Sequence, residues 1–166
     1  VKELVATIKE NMTLRRARTL EYGANSVVTD YIHEGRIGVL VQVSADKAEA
    51  LRDEAVQTFI GDCALHIAAN DPLFLAEKDA DAAYMKEQEE IFTKQAENLD
   101  KPANVLAGIV KGKMKKHLAE VCLLDQPFVK DDKKSVQQVL SDVGKQAGAS
   151  LSVEAYIYYK VGEEIN

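Results

Sequence analysis

The sequence predicts an α+β domain: a small antiparallel sheet packed with helices, from which an antiparallel helical hairpin protrudes. Three observations carry this expectation. Two β-branched runs, 26–32 and 37–43, flank a short turn containing Gly35. Apolar residues recur at helical spacing through 48–70 and 79–121. Residues 151–161 alternate apolar and polar, as a half-buried strand does.

Taken in order, Val1, Leu4, Val5, Ile8 and Met12 recur at helical spacing. Nothing before Val1 caps that run, so it reads as a truncated or processed chain; a short frayed helix is the alternative. Leu14–Leu20, with Arg15, Arg16 and Arg18, is expected to be a strand. The hairpin follows, with Ile37, Val39, Val41 and Val43 on one face of its second strand. Asp46 and Glu49 resemble a capping box that starts a helix. Its apolar face runs through Ala48, Leu51, Ala55, Phe59, Cys63 and Ile67 and ends near Asn70, before Asp71-Pro72.

Two further helices are expected at 79–98 and 102–120, with Asp100 as a possible cap and Pro102 in the first turn of the second. The first carries Tyr84, Met85, Ile91, Phe92, Ala96 and Leu99, interrupted by Gln88 and Gln95. The second carries the cleaner stripe of Val105, Leu106, Ile109, Val110, Met114, Leu118 and Val121. A short connection makes them antiparallel neighbours. Acids dominate 79–101 and lysines dominate 111–116, so the lysines are expected to find their partners across the hairpin. Ser135 and Gln138 then form an S-x-x-Q capping box for a short helix ended by Gly144–Gly148. In the last strand Leu151, Val153, Ala155, Ile157, Tyr159 and Val161 are expected on one face, with Tyr156 and Tyr158 on the other.

The chain has 166 residues with 21 Lys plus Arg against 27 Asp plus Glu, a net charge of -6. That balance disfavours general binding to nucleic-acid phosphate. No apolar run is long enough to span a bilayer, and no leader is visible. Cys63 and Cys122 fit two buried thiols in a reducing compartment, which points to the cytoplasm.

Little in the sequence points to catalysis. His33, His66 and His117 lack metal-ligand spacing, and no HExxH occurs. His66 reads as a packed, hydrogen-bonded residue, His117 as a complement to a helix C-terminus. His33 stands at a hairpin tip, as a partner contact or a solvated turn residue. Gly108–Lys113 is one residue short of a phosphate loop and falls mid-helix. Asp30, Glu34 and Glu154 read as solvated carboxylates. No enzyme activity and no cofactor are expected.

Several segments carry a resemblance. ENMTLRRA (Glu10–Ala17), YIHEGRIGVLVQV (Tyr31–Val43), HIAANDPLFL (His66–Leu75), KGKMKKHLAEVCLLDQPFVKD (Lys111–Asp131) and VGEEI (Val161–Ile165) stand in family order. Together they resemble the dimerisation-domain region of bacterial elongation factor Ts, a guanine-nucleotide exchange factor for elongation factor Tu. The resemblance implies a core subdomain of residues 1–78 and 126–166, with 79–125 as a coiled-coil insertion. It implies elongation factor Tu as partner, His33 as a contact to it, and Gly35 and Arg36 as neighbouring contacts. The family's N-terminal helical module and its Thr-Asp-Phe-Val element have no counterpart in these residues. The expected function is therefore part of an exchange factor. The alternative is an interaction or dimerisation module, with the hairpin stripe or a sheet edge pairing to a second copy.

Overall fold

The computed structural model describes residues 1–99 and 101–164; the cap expected at Asp100 lies outside them, as does Ile165. The architecture is α+β. A three-stranded antiparallel sheet has the order β1 (Ser26–His33), β2 (Ile37–Ala45), β5 (Leu151–Lys160). Five α-helices accompany it: α1 (Lys2–Ile8), α2 (Glu54–Asn70), α3 (Ala82–Glu97), α4 (Ala103–Val121) and α5 (Val136–Gln146). A two-stranded hairpin, β3 (Pro127–Phe128) and β4 (Asp131–Ser135), enters α5 and was not legible in the charged run DDKKS.

The core lies on one face of the sheet. Val39, Val41 and Val43 of β2 are almost fully buried against Val56, Phe59, Ile60 and Ile67 of α2 and Leu140 of α5. Burying each such side chain contributes about 1.5–3 kcal/mol. The start of α2 departs from expectation. Residues 48–52 form a 3₁₀ turn, and Asp53 caps α2 by accepting from the amides of Ala55 (2.9 Å) and Val56 (3.3 Å). Asp46 instead accepts from the Ser150 amide at 2.8 Å, tying the entry of the 3₁₀ turn to the start of β5. The N-terminal basic segment is no strand. Arg16 lies over the Tyr159 ring at 4.1 Å and pairs with Glu163, while Leu14 stays exposed. These side-chain contacts with β5 and its exit replace the strand pairing that its sequence suggested.

The last strand also differs. Gln42 faces Ala155 but Val43 faces Val153, so Glu154 is an extra residue, a β-bulge. A one-residue slip exchanges the two faces of a strand. Leu151 and Val153 therefore face the core on one side of the bulge, while Tyr156 and Tyr158 face it on the other, opposite Val41 and Val39. Strict alternation along 151–161 does not hold.

The start of α5 matches its signature. Ser135 Oγ accepts from the Gln138 amide and Gln138 Oε1 accepts from the Ser135 amide, at 3.3 and 2.8 Å. Its end is a Schellman motif, with Ala149 N–H donating to Gly144 C=O and Gly148 N–H to Lys145 C=O.

Helices α3 and α4 pack antiparallel. The Tyr84 hydroxyl meets His117 Nε2 at 2.6 Å, Phe92 stacks edge-on to His117, and Lys113 Nζ donates to Gln95 Oε1 at 2.8 Å. His117 is thus an interhelical contact, not a helix-end charge. The expected ion pairs across the two helices are not formed among the described residues. The charged pairs here are Lys86–Glu90 and Lys116–Glu120, each within one helix. Aromatic and amide groups occupy the contact, and exposed ion pairs gain too little to displace them. The chain leaves the core and returns to it at adjacent points: Phe74 and Cys122 form a parallel bridge, and Leu123 and Leu124 donate to the carbonyls of Phe74 and Leu75.

Candidate partner-binding site

The site begins with the turn between β1 and β2. Arg36 N–H donates to His33 C=O at 2.9 Å, closing a four-residue turn. Its central residues, Glu34 (φ 50) and Gly35 (φ 67), are both left-handed, as a type I′ turn requires. Gly35 adopts that conformation at no steric cost. Glu34 does so against a preference of about 1–2 kcal/mol. Non-glycine residues held this way concentrate where a turn must present something specific.

The turn presents His33. Its Nδ1 lies 3.1 Å from the Tyr31 hydroxyl, and the two rings stack with centroids 6.1 Å apart. Tyr31 belongs to the same strand face and packs partly against the core, so it holds the exposed imidazole in place. Arg36 is also exposed, and its carbonyl accepts from Val161 N–H at 2.8 Å, which ties the tip to the end of β5. On the opposite strand face Ile32 is 67% exposed, and nearby Val161 is 71% exposed. The tip therefore combines a positioned imidazole, a guanidinium and two exposed apolar side chains.

A second set of residues extends the same end of the sheet. Tyr158 stands across Val39 from Tyr31. Burial, followed by the nearby Asp71 carboxylate, pushes the Tyr158 hydroxyl above its ordinary pKa. The Tyr156 hydroxyl donates to Pro72 C=O at 2.6 Å, and burial pushes its pKa up as well. This bond holds the Asp71–Leu73 turn, with its exposed Leu73, beside the sheet. Asp71 is left-handed (φ 45), consistent with a helix that stops before Pro72. The sequence pointed to His33, Gly35 and Arg36 and missed Tyr31, Tyr158 and Asp71. The i, i+2 spacing of Tyr31 and His33 was a usable signal; the tyrosines of β5 were hidden by the bulge.

The remaining candidates are structural. His66 is fully buried, with Nδ1 accepting from Val129 N–H at 3.1 Å and Nε2 donating to Gln126 Oε1 at 2.9 Å. Burial lowers its pKa, with the Gln126 bond acting the other way. Cys63 and Cys122 are free and buried, and desolvation pushes their thiols up to about 12 and about 11. Such thiols are unreactive. Gly108–Lys113 lies inside α4. Among the described residues no His, Cys, Asp and Glu side chains are grouped to hold a metal, and no helix is long and apolar enough to cross a membrane.

Comparison with known proteins adds a family. The family model described as "Elongation factor TS" matches residues 1–163. Elongation factor Ts of Treponema denticola is 47% identical over 161 residues, covering 96% of this chain and 58% of that protein. The Borrelia recurrentis protein of the same name is 43% identical over 164 residues, covering 98% of this chain and 59% of that protein. That of Borreliella burgdorferi strain ZS7 is 42% identical over the same shares. The chain thus spans somewhat less than three fifths of the length of these curated relatives.

Proposed function

The chain belongs to the elongation factor Ts family, and from that premise we propose that it is the docking part of a guanine-nucleotide exchange factor for elongation factor Tu. It acts in the cytoplasm as a binding protein, not as an enzyme on a small substrate, and it makes no direct contact with nucleic acid. The observation that carries this reading is the β1–β2 tip, where His33 is exposed yet held by Tyr31 on a type I′ turn. A held, solvent-facing side chain loses little conformational freedom on association, so more of its contact energy appears as affinity. His33 is the principal contact, with Gly35 and Arg36 beside it.

Docking promotes GDP release only if it favours the partner conformation that holds nucleotide poorly. The 166 residues contain no Thr-Asp-Phe-Val, the element the family places beside the nucleotide. The chain is therefore expected to bind elongation factor Tu but to accelerate its GDP release poorly compared with a full-length relative. Each missing factor of ten corresponds to about 1.4 kcal/mol of differential stabilisation.

The test pairs titration calorimetry with fluorescent-GDP release at saturating chain. His33→Ala should cost more than about 1 kcal/mol of binding while leaving the melting temperature nearly unchanged. Unchanged affinity would remove His33 from the interface. Full exchange activity would place the exchange determinants within these residues.

A further inference from the structure

The exposed imidazole at the β1–β2 tip has one ring nitrogen engaged and one free. His33 Nδ1 lies 3.1 Å from the Tyr31 hydroxyl, whereas Nε2 makes no hydrogen bond among the described residues. Among the same residues the Tyr31 hydroxyl has no partner other than His33. The tyrosine is itself fixed. It stands in a cross-strand row with Val39 and Tyr158, Val39 is 2% exposed, and the Tyr31 ring packs partly on the core. The next row towards the tip is His33, Ile37 and Lys160. Tyr31 therefore supports the imidazole from the row behind it, and the two rings stack at an angle of 28°.

Chemistry decides the direction of that bond. A phenol O–H is a better donor than a neutral imidazole N–H, and an unprotonated imidazole nitrogen is a better acceptor than a phenol oxygen. The stronger pairing has the Tyr31 O–H donating to His33 Nδ1, which leaves the ring proton on Nε2. Donation into Nδ1 also draws charge from the ring and strengthens Nε2–H as a donor.

We propose that Tyr31 is a positioning residue that holds His33 in the Nε2–H form, so that the tip offers elongation factor Tu a hydrogen-bond donor and selects an acceptor oxygen on that partner. The proposal rests on the reading of the tip as the partner contact, and adds the atom that makes the contact and the residue that orients it. Arg36 and Lys160, exposed beside the imidazole, also carry donors alone, whereas Glu34 supplies a carboxylate at the turn. The tautomer sets specificity. A partner group able only to donate would face Nε2–H without an acceptor, and leaving a desolvated donor unpaired costs more than a made bond gains.

Two measurements on the whole chain test this. A long-range proton–nitrogen spectrum of the free, isotope-labelled chain at about pH 8.5, where imidazoles are neutral, shows which ring nitrogen is protonated. His33→Ala identifies the signals. The wild type should show Nε2–H. Tyr31→Phe, which keeps the ring and its packing, should shift the Nδ1 resonance of His33 while leaving those of His66 and His117 in place. Titration calorimetry with elongation factor Tu then gives a double-mutant cycle. Tyr31→Phe should weaken binding about three- to tenfold with the melting temperature nearly unchanged. In the His33→Ala background the same change should cost less than about twofold. A proton on Nδ1 in the wild type, or a Tyr31→Phe effect that is the same with and without His33, would overturn the proposal. Unchanged affinity for His33→Ala would remove the tip from the interface, and the acceptor assignment with it. The free-chain spectrum involves no partner, so it separates that failure from a failure of the Tyr31–His33 bond.

Discussion

At the residue scale, His66 makes stability depend on pH. Its Nδ1 accepts a backbone hydrogen bond from Val129, so a proton placed there meets a donor instead of an acceptor. The folded pKa is lowered, chiefly by burial. The unfolded chain therefore binds this proton at a higher pH than the folded chain. The contribution is fully present above about pH 6.5 and is lost as pH falls from there towards the lowered folded value, by up to about 1.4 kcal/mol per pH unit. Melting temperatures at pH 7.5 and 5.5 should show this loss, and His66→Gln should flatten the dependence over that range while lowering stability throughout. Gly144 gives a second prediction. A Cβ there would lie 2.8 Å from the carbonyl oxygen of Ala149, which is backbone inside the Schellman turn. Gly144→Ala should cost about 1–3 kcal/mol in urea unfolding, despite alanine's better helix propensity. Glu34→Gly should instead raise stability by roughly 0.5–1 kcal/mol, since glycine relieves the left-handed strain at some entropic cost. The sequence made the packing of His66 readable from its place on a helical face. Its partners Gln126 and Val129 come from 60 and 63 residues away, which periodicity does not report.

At the element scale, legibility followed the strength of local signals. The β1–β2 hairpin and α5 were readable because turn and cap residues stand beside clear periodic runs. The true cap of α2 was obscured because Asp46 and Asp53 both precede helical spacing, and only Asp53 directs its carboxylate at free helix amides. Leu14–Leu20 had the composition of a short strand but found no strand partner, and backbone pairing decides sheet membership. For α3 and α4 the stripes fixed the helices, while the charges suggested ion pairs that aromatic packing displaced. The Phe74–Cys122 bridge bears on the division at 79 and 125, which we propose as the bounds of a semi-independent unit. Replacing residues 79–121 with a short Gly-Ser turn should leave a chain that unfolds cooperatively, because Phe74 and Leu75 before the gap are already hydrogen-bonded to Leu123 and Leu124 after it. A broad, non-cooperative urea transition in that variant would show that the two helices are needed for the core to fold.

At the scale of the whole molecule, the β1–β2 tip, proposed as the contact to elongation factor Tu, and the α3–α4 pair are separated along the chain. Lys111→Glu with Lys115→Glu should therefore leave its calorimetric affinity for elongation factor Tu within about twofold, as expected for sites far apart. The fold class and the tip were legible because each rests on local pattern. The α3–α4 contact was legible only as two stripes, since its detail depends on which side chains the helices turn towards each other. The bulge at Glu154 has a consequence for the edge of the sheet. β5 is an outer strand, and an outer strand carries a row of backbone groups that invites any extended chain to dock. The extra residue breaks the regular spacing of that row at its middle, so an incoming strand can match one half of β5 but not both. A single inserted glutamate thus guards the molecule against aggregation through this edge.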